Sequence, residues 1–301
     1  MRISDLSLPE TEQSLSTGQL KLVTGPFTTR IRSRIPSVAI GLKTLYGDFT
    51  LAPEDSFADF YCELRPPNSI RRYYNPQVLF LADGRSVFKP LAYYQAFPML
   101  EWGMNWCIAM QAPQYLVFHA AALEKNGKAL ILPAPPGSGK STLCAGLACR
   151  GWRLLTDEST LVDLETAQIT GPARPVSLKN ASIDVIQSFA PGASMGPICH
   201  DTLKGTVAHL RPPAESVARA GELAKPRWVV FPRYEANAET RLTPHPPGEA
   251  FMRLAGNSFN YAALGTIAFH RTADLMEQVE AFDFVYSRLE EAVQLFDEIA
   301  A

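Results

Sequence analysis

Between residues 57 and 90 apolar and polar positions alternate with a period of about two. "FADFYCELRPP" and "QVLFLADGRSVFKP" both follow this pattern of half-buried strands. Asp83-Gly84 interrupts the second run and predicts a two-residue hairpin. The stretch 93–111, "YYQAFPMLEWGMNWCIAMQ", is long, aromatic and apolar without alternation, and predicts a buried helix. "SVAIGLKTLYGD" (37–48) predicts a shorter helix, and the polar residues 1–20 predict a partly loose start. Residues 1–112 together read as a smaller α+β region of structural character.

From residue 113 the pattern changes. "QYLVFHAAALEKNGKALILPAP" predicts two strands joined by a turn at Asn126-Gly127. A helix over 140–150 follows, closed by Gly151. "WRLLTDE" predicts a short strand ending in two acids. Residues 164–215, rich in Gly, Pro and small polar side chains, predict short strands and excursions. "RWVVFPRY" (227–234) and "AFDFVYS" predict strands, and residues 249–264 a helix. "SRLEEAVQLFDEIAA" predicts a closing amphipathic helix, with Ser287 and Glu290 as a capping box and Leu289, Val293, Phe296 and Ile299 as its apolar stripe. The alternation of strand and helix over 113–301 predicts a second unit of α/β class.

Composition narrows the partners. The chain has 301 residues, 47% of them hydrophobic, enough for a full core in one large domain or two ordinary ones. A net charge of −2 gives no basic footprint, so nucleic acid is not an expected partner. Five cysteines, an odd number, do not predict a disulfide framework. No stretch of 18 apolar residues predicts a membrane span, and the polar, acidic start has no signal-peptide pattern. The expectation is a soluble cytoplasmic protein.

The candidate chemistry centres on "PAPPGSGKST", residues 133–142, between the predicted strand and helix. Phosphates bind where backbone N–H groups converge at a helix N-terminus. Gly137 and Gly139 allow the tight turn and close backbone approach around Ser138. Lys140 can reach β- and γ-phosphates, and the hydroxyl of Ser141, next to Thr142, can ligate Mg²⁺. In the usual phosphate-loop spacing the first glycine falls at Ala134, a departure that matters only if that position needs positive φ. Pro135 and Pro136 stiffen the loop in an extended form. The readings point to a nucleotide phosphate site with Mg²⁺.

Asp157 and Glu158 stand 17 and 18 residues after Lys140, at the end of the next strand. One carboxylate can serve the metal shell while the other takes a proton from an acceptor hydroxyl. No LSGGQ-like or N-K-x-D-like signature follows, which lowers the transport ATPase and GTPase readings. Lys204 and Lys179 lie in later segments rich in small residues, and a cation there could offset charge on the transferred phosphoryl oxygens. Solvated lysines are the plainer alternative for both. His119 on an apolar strand could equally be a core histidine. Asn257, Asn260 and Tyr261 suit capping or packing, and Arg211, Arg227 and Arg233 surface or structural roles.

"FHAAALEKNGKALILPAPPGSGKSTL" followed by "RGWRLLTDE" resembles the catalytic core of bacterial HPr kinase/phosphorylase proteins. The tail, with "HDTLKGTVAHLRPP", "VVFPRYEA" and "AFMRLAGNSFNYAALG", is similar to the smaller HPr-kinase-related kinase A group. The resemblance implies a P-loop kinase core of the phosphoenolpyruvate-carboxykinase-like type with a mixed sheet, ATP, Mg²⁺ and transfer to a seryl hydroxyl. It implies nucleotide binding by residues 137 and 139–142, Asp157 as base, Glu158 near the metal and His119 close to the Asp157 carboxylate. It also implies a peptide or small-protein acceptor, with a PqqD-like protein as candidate. Ala134 stands where the family has its first loop glycine, and Glu158 where it has a second Asp. Residues 160–215 lack the recognisable segment for phosphorolysis, which leaves the reverse reaction and HPr as substrate open. A small-molecule acceptor, a nucleotide-binding regulator without efficient transfer, and a homo-oligomeric state also stay open.

Overall fold

The computed structural model of the chain describes residues 1–68 and 73–301. Its start corrects an expectation: residues 1–20 are not loose, because a 3-10 turn (Ile3–Asp5) and helix α1 (Leu8–Thr17) form there. Ser7 Oγ accepts from the Glu10 N–H, and the Glu10 carboxylate accepts from the Ser7 N–H at 2.7 Å. Gly18, with φ 73°, closes the helix. There follow β1 (Leu20–Thr24), β2 (Phe27–Ser33), α2 (Pro36–Leu45), β3 (Phe60–Arg65), β4 (Gln77–Ala82), β5 (Arg85–Ser86), β6 (Leu91–Ala92) and α3 (Ala96–Gln111). Strands β1 to β5 lie side by side in chain order, with β6 on β4. Asp83 and Gly84, at φ 49° and 76°, form the hairpin expected between β4 and β5. Helix α3 buries Phe97, Met99, Leu100, Met104 and Ile108 and packs on β3 and β4.

The second half begins with β7 (Tyr115–Lys125), β8 (Lys128–Pro133), α4 (Lys140–Cys149), β9 (Arg153–Thr156), β10 (Ser159–Asp163) and β11 (Ile169–Thr170). Then come β12 (Val176–Lys179), α5 (Ala181–Phe189), β13 (Cys199–Thr202), β14 (Gly205–Leu210) and α6 (Ala214–Ala218). The chain closes with β15 (Lys225–Tyr234), β16 (Arg241–Pro244), α7 (Pro247–Gly256), α8 (Tyr261–Leu264), α9 (Thr266–Met276), β17 (Glu280–Tyr286) and α10 (Leu289–Ala300). Among the described residues a mixed sheet runs β11-β10-β7-β8-β15-β17-β16, with β9 also on β7, and β12-β14-β13 form a small separate sheet. The molecule is thus a mixed α/β protein with several sheets.

The centre of the large sheet is buried on both faces. Leu130 and Leu132 of β8 join a cluster with α4 and α10, while Ala129 and Ile131 join one with Val229, Leu254 and Leu275. This period-two sharing is what a doubly covered strand requires. Strands β8, β15 and β17 are parallel, so Pro133, Tyr234 and Tyr286 end at one edge. Strand β9 runs antiparallel to β7 and delivers Thr156 to that edge, and β10 starts opposite His119.

Two further expectations are corrected. Residues 249–264 do not form one helix: α7 ends at Gly256 and α8 starts at Tyr261. β8 pairs β7 only from Ala120 onward, so earlier backbone groups on that side of β7 need partners. The link 257–260 supplies them. Asn257 O accepts from the His119 N–H, Phe259 N–H donates to Val117 O, and the Asn260 amide bonds both the Val117 N–H and Tyr115 O. Ser287 does not cap α10 with Glu290, because its Oγ donates instead to Ala238 O at 2.7 Å and the helix opens after Arg288. The expected stripe holds, with Leu289, Val293 and Phe296 buried and Ile299 packed at its margin. Among the described residues no helix is long and apolar enough to cross a membrane.

Candidate functional site

Helix α4 follows β8 after a six-residue loop, and that loop holds two left-handed glycines, Gly137 at φ 87° and Gly139 at φ 85°. No Cβ contact would arise at Gly137, which borders open space. At Gly139 a Cβ would come to 2.4 Å from Tyr286 Oη and 2.9 Å from Tyr234 Cβ. The two tyrosines end parallel strands in register, and Tyr286 Oη donates to Gly139 O at 2.8 Å. Tyr234 N–H donates to Ser138 O, so the sheet edge grips the loop from below. Ala134 is not among the positive-φ residues and is buried. The position needs no left-handed backbone, which is why alanine is accommodated where a glycine was expected.

Gly139 caps α4 without any side-chain hydrogen bond, so the first-turn N–H groups of the helix lack a side-chain partner. They face a cavity of about 510 Å³ lined by residues 135–142, His119, Asp157, Glu158, Ser177, Lys179, Tyr234 and Tyr286, among others. The Lys140 ammonium is buried with no hydrogen-bond partner, and so is Ser138 Oγ. Burial pushes Lys140 below the ordinary lysine value, against the pull of Glu158 and Asp157. A buried donor with no acceptor costs free energy unless a ligand supplies the acceptor.

Asp157 and Glu158 turn the chain from β9 to β10. The Thr156 hydroxyl accepts from the N–H groups of Glu158 and Ser159 and shapes that turn. Asp157 is buried, and its Oδ2 accepts from the Ser177 N–H at 2.8 Å. Burial, with the neighbouring Glu158 charge, pushes its carboxyl up to about 6. Burial alone would also raise Glu158, but Lys204, Lys140 and His119 hold it below the ordinary carboxylate range. Burial and the Lys140 charge push His119 down to about 4, so its imidazole is neutral near pH 7.

The structure therefore gathers the loop residues Pro135, Pro136, Gly137, Ser138, Gly139, Lys140, Ser141 and Thr142 with Asp157, Glu158 and His119. The His119 ring lies 5.3 Å from that of Phe259, and the carboxylate it interacts with is Glu158. Lys204 is not in the cavity wall. It sits in the β13–β14 turn with its Nζ 4.8 Å from the Trp102 ring centroid, close enough to act on the Glu158 charge. Lys179, for which a solvated lysine is the plainer reading of the sequence, lines the cavity. Sequence reasoning missed Tyr234, Tyr286, Ser177 and Asn105. Both tyrosines end apolar runs, a signal that becomes readable once the runs are known to be parallel neighbours. Asn105 Nδ2 donates to Glu158 Oε2 at 2.8 Å, and it follows Glu101 by one turn in an otherwise apolar helix.

Ser141 Oγ and the carboxylates of Asp157 and Glu158 are hard oxygen donors in one cavity, a set that fits Mg²⁺ shared with phosphate oxygens better than a softer ion. No family model matches this chain, and no curated protein matches it. Among solved structures it is similar to the Hpr(Ser) kinase/phosphatase from Coxiella burnetii, at 12% identity over 61% of this chain and 93% of that one, with a TM-score of 0.26. At that score the likeness transfers neither fold nor activity.

Proposed function

We propose that this chain is an ATP-dependent phosphotransferase, with a P-loop core of the phosphoenolpyruvate-carboxykinase-like type, that passes the γ-phosphate to a seryl hydroxyl of a peptide or small protein. A PqqD-like protein is the candidate acceptor that the family resemblance implies. The observation that carries the reading is the buried, unpartnered ammonium of Lys140 at the uncapped N-terminus of α4. Phosphate oxygens are the acceptors that this arrangement lacks.

The loop N–H groups and Lys140 bind the phosphate chain and hold the γ-phosphorus in line with an incoming hydroxyl. Mg²⁺ arriving with the nucleotide would neutralise charge on the β- and γ-phosphate oxygens, with Ser141 Oγ and Glu158 as the residues to hold it. Asp157 is the base. The Ser177 N–H fixes Oδ2, which leaves Oδ1 for the acceptor proton. As the acceptor oxygen bonds to phosphorus the bridging bond breaks, ADP leaves, and the proton rests on Asp157. A carboxyl near 6 is ionised at neutral pH yet basic enough to take that proton. Lys179, in the cavity wall, offsets charge as it spreads over the transferred oxygens, while Lys204 acts from outside that wall on the Glu158 charge.

The first test is binding. ATP with Mg²⁺ at 100-fold over its Kd should stabilise the fold by about 2.7 kcal/mol, read as a rise in Tm. Lys140→Ala should abolish most of that rise. A wild-type melting curve indifferent to MgATP overturns the reading. Transfer is then followed by mass spectrometry of added peptides and small proteins, with an acid-stable phosphoseryl product expected.

A further inference from the structure

We infer that Asn105, on α3, is a positioning residue that aims the Glu158 carboxylate into the phosphate site; this rests on the phosphotransferase reading above. The observation is a continuous line of hydrogen bonds from the first half of the chain into the cavity. Asn105 Nδ2 donates to Glu158 Oε2 at 2.8 Å, and Asn105 Oδ1 accepts from Arg174 Nη1 at 2.8 Å. Arg174 Nη2 donates to Glu101 Oε2 at 2.6 Å and to Glu101 O at 2.9 Å, while its Nε donates to Tyr46 Oη at 3.2 Å. Tyr46 Oη donates in turn to Glu101 Oε1 at 2.6 Å. Tyr46, Glu101 and Arg174 are all buried.

This line leaves the Asn105 amide one orientation. Turned by half a revolution, it would set its NH₂ group against the guanidinium N–H and its oxygen against the carboxylate. The amide N–H is thus presented to Glu158 from a fixed point. Among the described residues it is the only hydrogen bond to the Glu158 carboxylate. Charge does not aim that carboxylate, because the ammonium groups of Lys204, Lys140 and Lys179 all attract it and none of them hydrogen-bonds it. A flexible glutamate in such a field takes a single orientation only if a directional donor selects it. Groups that orient a metal-holding carboxylate in this way commonly account for 10–100-fold in metal affinity.

The test is a double-mutant cycle on metal binding. Mn²⁺ affinity is measured by electron paramagnetic resonance in the presence of a non-hydrolysable ATP analogue, for wild type, Asn105→Ala, Glu158→Gln and the pair. The Mg²⁺ concentration for half-maximal transfer is measured alongside. Asn105→Ala should weaken Mn²⁺ binding roughly 10-fold or more, and should add less than about twofold once Glu158→Gln is present. An unchanged Mn²⁺ affinity, or effects that simply multiply, overturns the inference. Asn105→Leu, closer to asparagine in volume, carries the same expectation if the alanine cavity impairs folding. Wild-type protein that binds no Mn²⁺ with the nucleotide refutes the phosphotransferase reading itself, whereas normal binding with an additive cycle refutes only the role of Asn105.

Discussion

Gly139 has little freedom to vary. Its φ of 85° disfavours any side chain, and an added Cβ would lie 2.4 Å from Tyr286 Oη. Gly139→Ala should therefore displace Tyr286, lose its bond to Gly139 O, and remove most of the MgATP rise in Tm. Gly137→Ala shares the backbone strain, near 1 kcal/mol, but meets no atom within 4 Å. It should keep a larger part of the rise, and equal losses in the two variants would reject the role given to the tyrosine pair. Asp157 gives a second prediction. Its folded carboxyl is raised to about 6 from 3.8, so the folded state holds that proton more tightly than the unfolded chain. The stability it contributes is complete below pH 3.8 and is lost as pH rises through about 6. Asp157→Asn has no proton to lose, so it should raise stability at pH 7 by on the order of 1–3 kcal/mol in urea unfolding. The same variant should slow transfer roughly 10²–10⁴-fold while MgATP still raises its Tm. Wild-type transfer should climb through pH 6 and level above it. A wild-type rate from Asp157→Asn would move the base elsewhere.

Elements defined by local signals are legible in the amino-acid order alone. Asn126-Gly127, at φ 54° and 78°, joins β7 to β8 as its dipeptide predicts, and the strand, glycine loop and helix follow in order. The same kind of signal stands at Ser7-Leu8-Pro9-Glu10, a capping box that opens α1 where a loose start was expected. What is not legible depends on distant partners. The break between α7 and α8 exists because β7 needs hydrogen bonds from residues 257–260, a demand made about 140 residues away. Helix α3 is legible as buried, but its part in the site is not, because Glu101 and Asn105 acquire meaning only opposite Arg174 and Glu158. Its fit against the first sheet is close: a Cβ on Gly103 would stand 2.1 Å from Phe80 Cε2. Alanine favours a helix interior by up to about 1 kcal/mol, yet here the overlap should dominate. Gly103→Ala should destabilise by about 1–3 kcal/mol in urea unfolding, and a more stable variant would show that α3 can shift.

At the scale of the whole molecule, the two halves meet through a buried ion pair. Among the described residues one buried core cluster runs from Ile3 to Ala112 and adds Val117 and Leu161 from beyond, with Tyr115 and Val217 packed at its margin. Arg174 reaches into this half from the segment between β11 and β12 and pairs with Glu101 at 2.6 Å, with both side chains almost fully buried. Desolvation offsets much of the attraction in such a pair, so its presence is weak evidence of net stability. Removing one partner is a different matter, because the other charge is left buried. Arg174→Met should therefore cost about 3–5 kcal/mol, seen as a large fall in Tm. Arg174→Met with Glu101→Leu removes both charges and should recover a substantial part of that loss. The double variant separates stability from positioning. It restores no donor to orient Asn105, whose Oδ1 loses the Arg174 N–H. Its Tm should approach that of wild type, while the Mg²⁺ concentration needed for transfer stays raised. If both properties recover together, the buried pair serves only to join the halves, and the site does not depend on it.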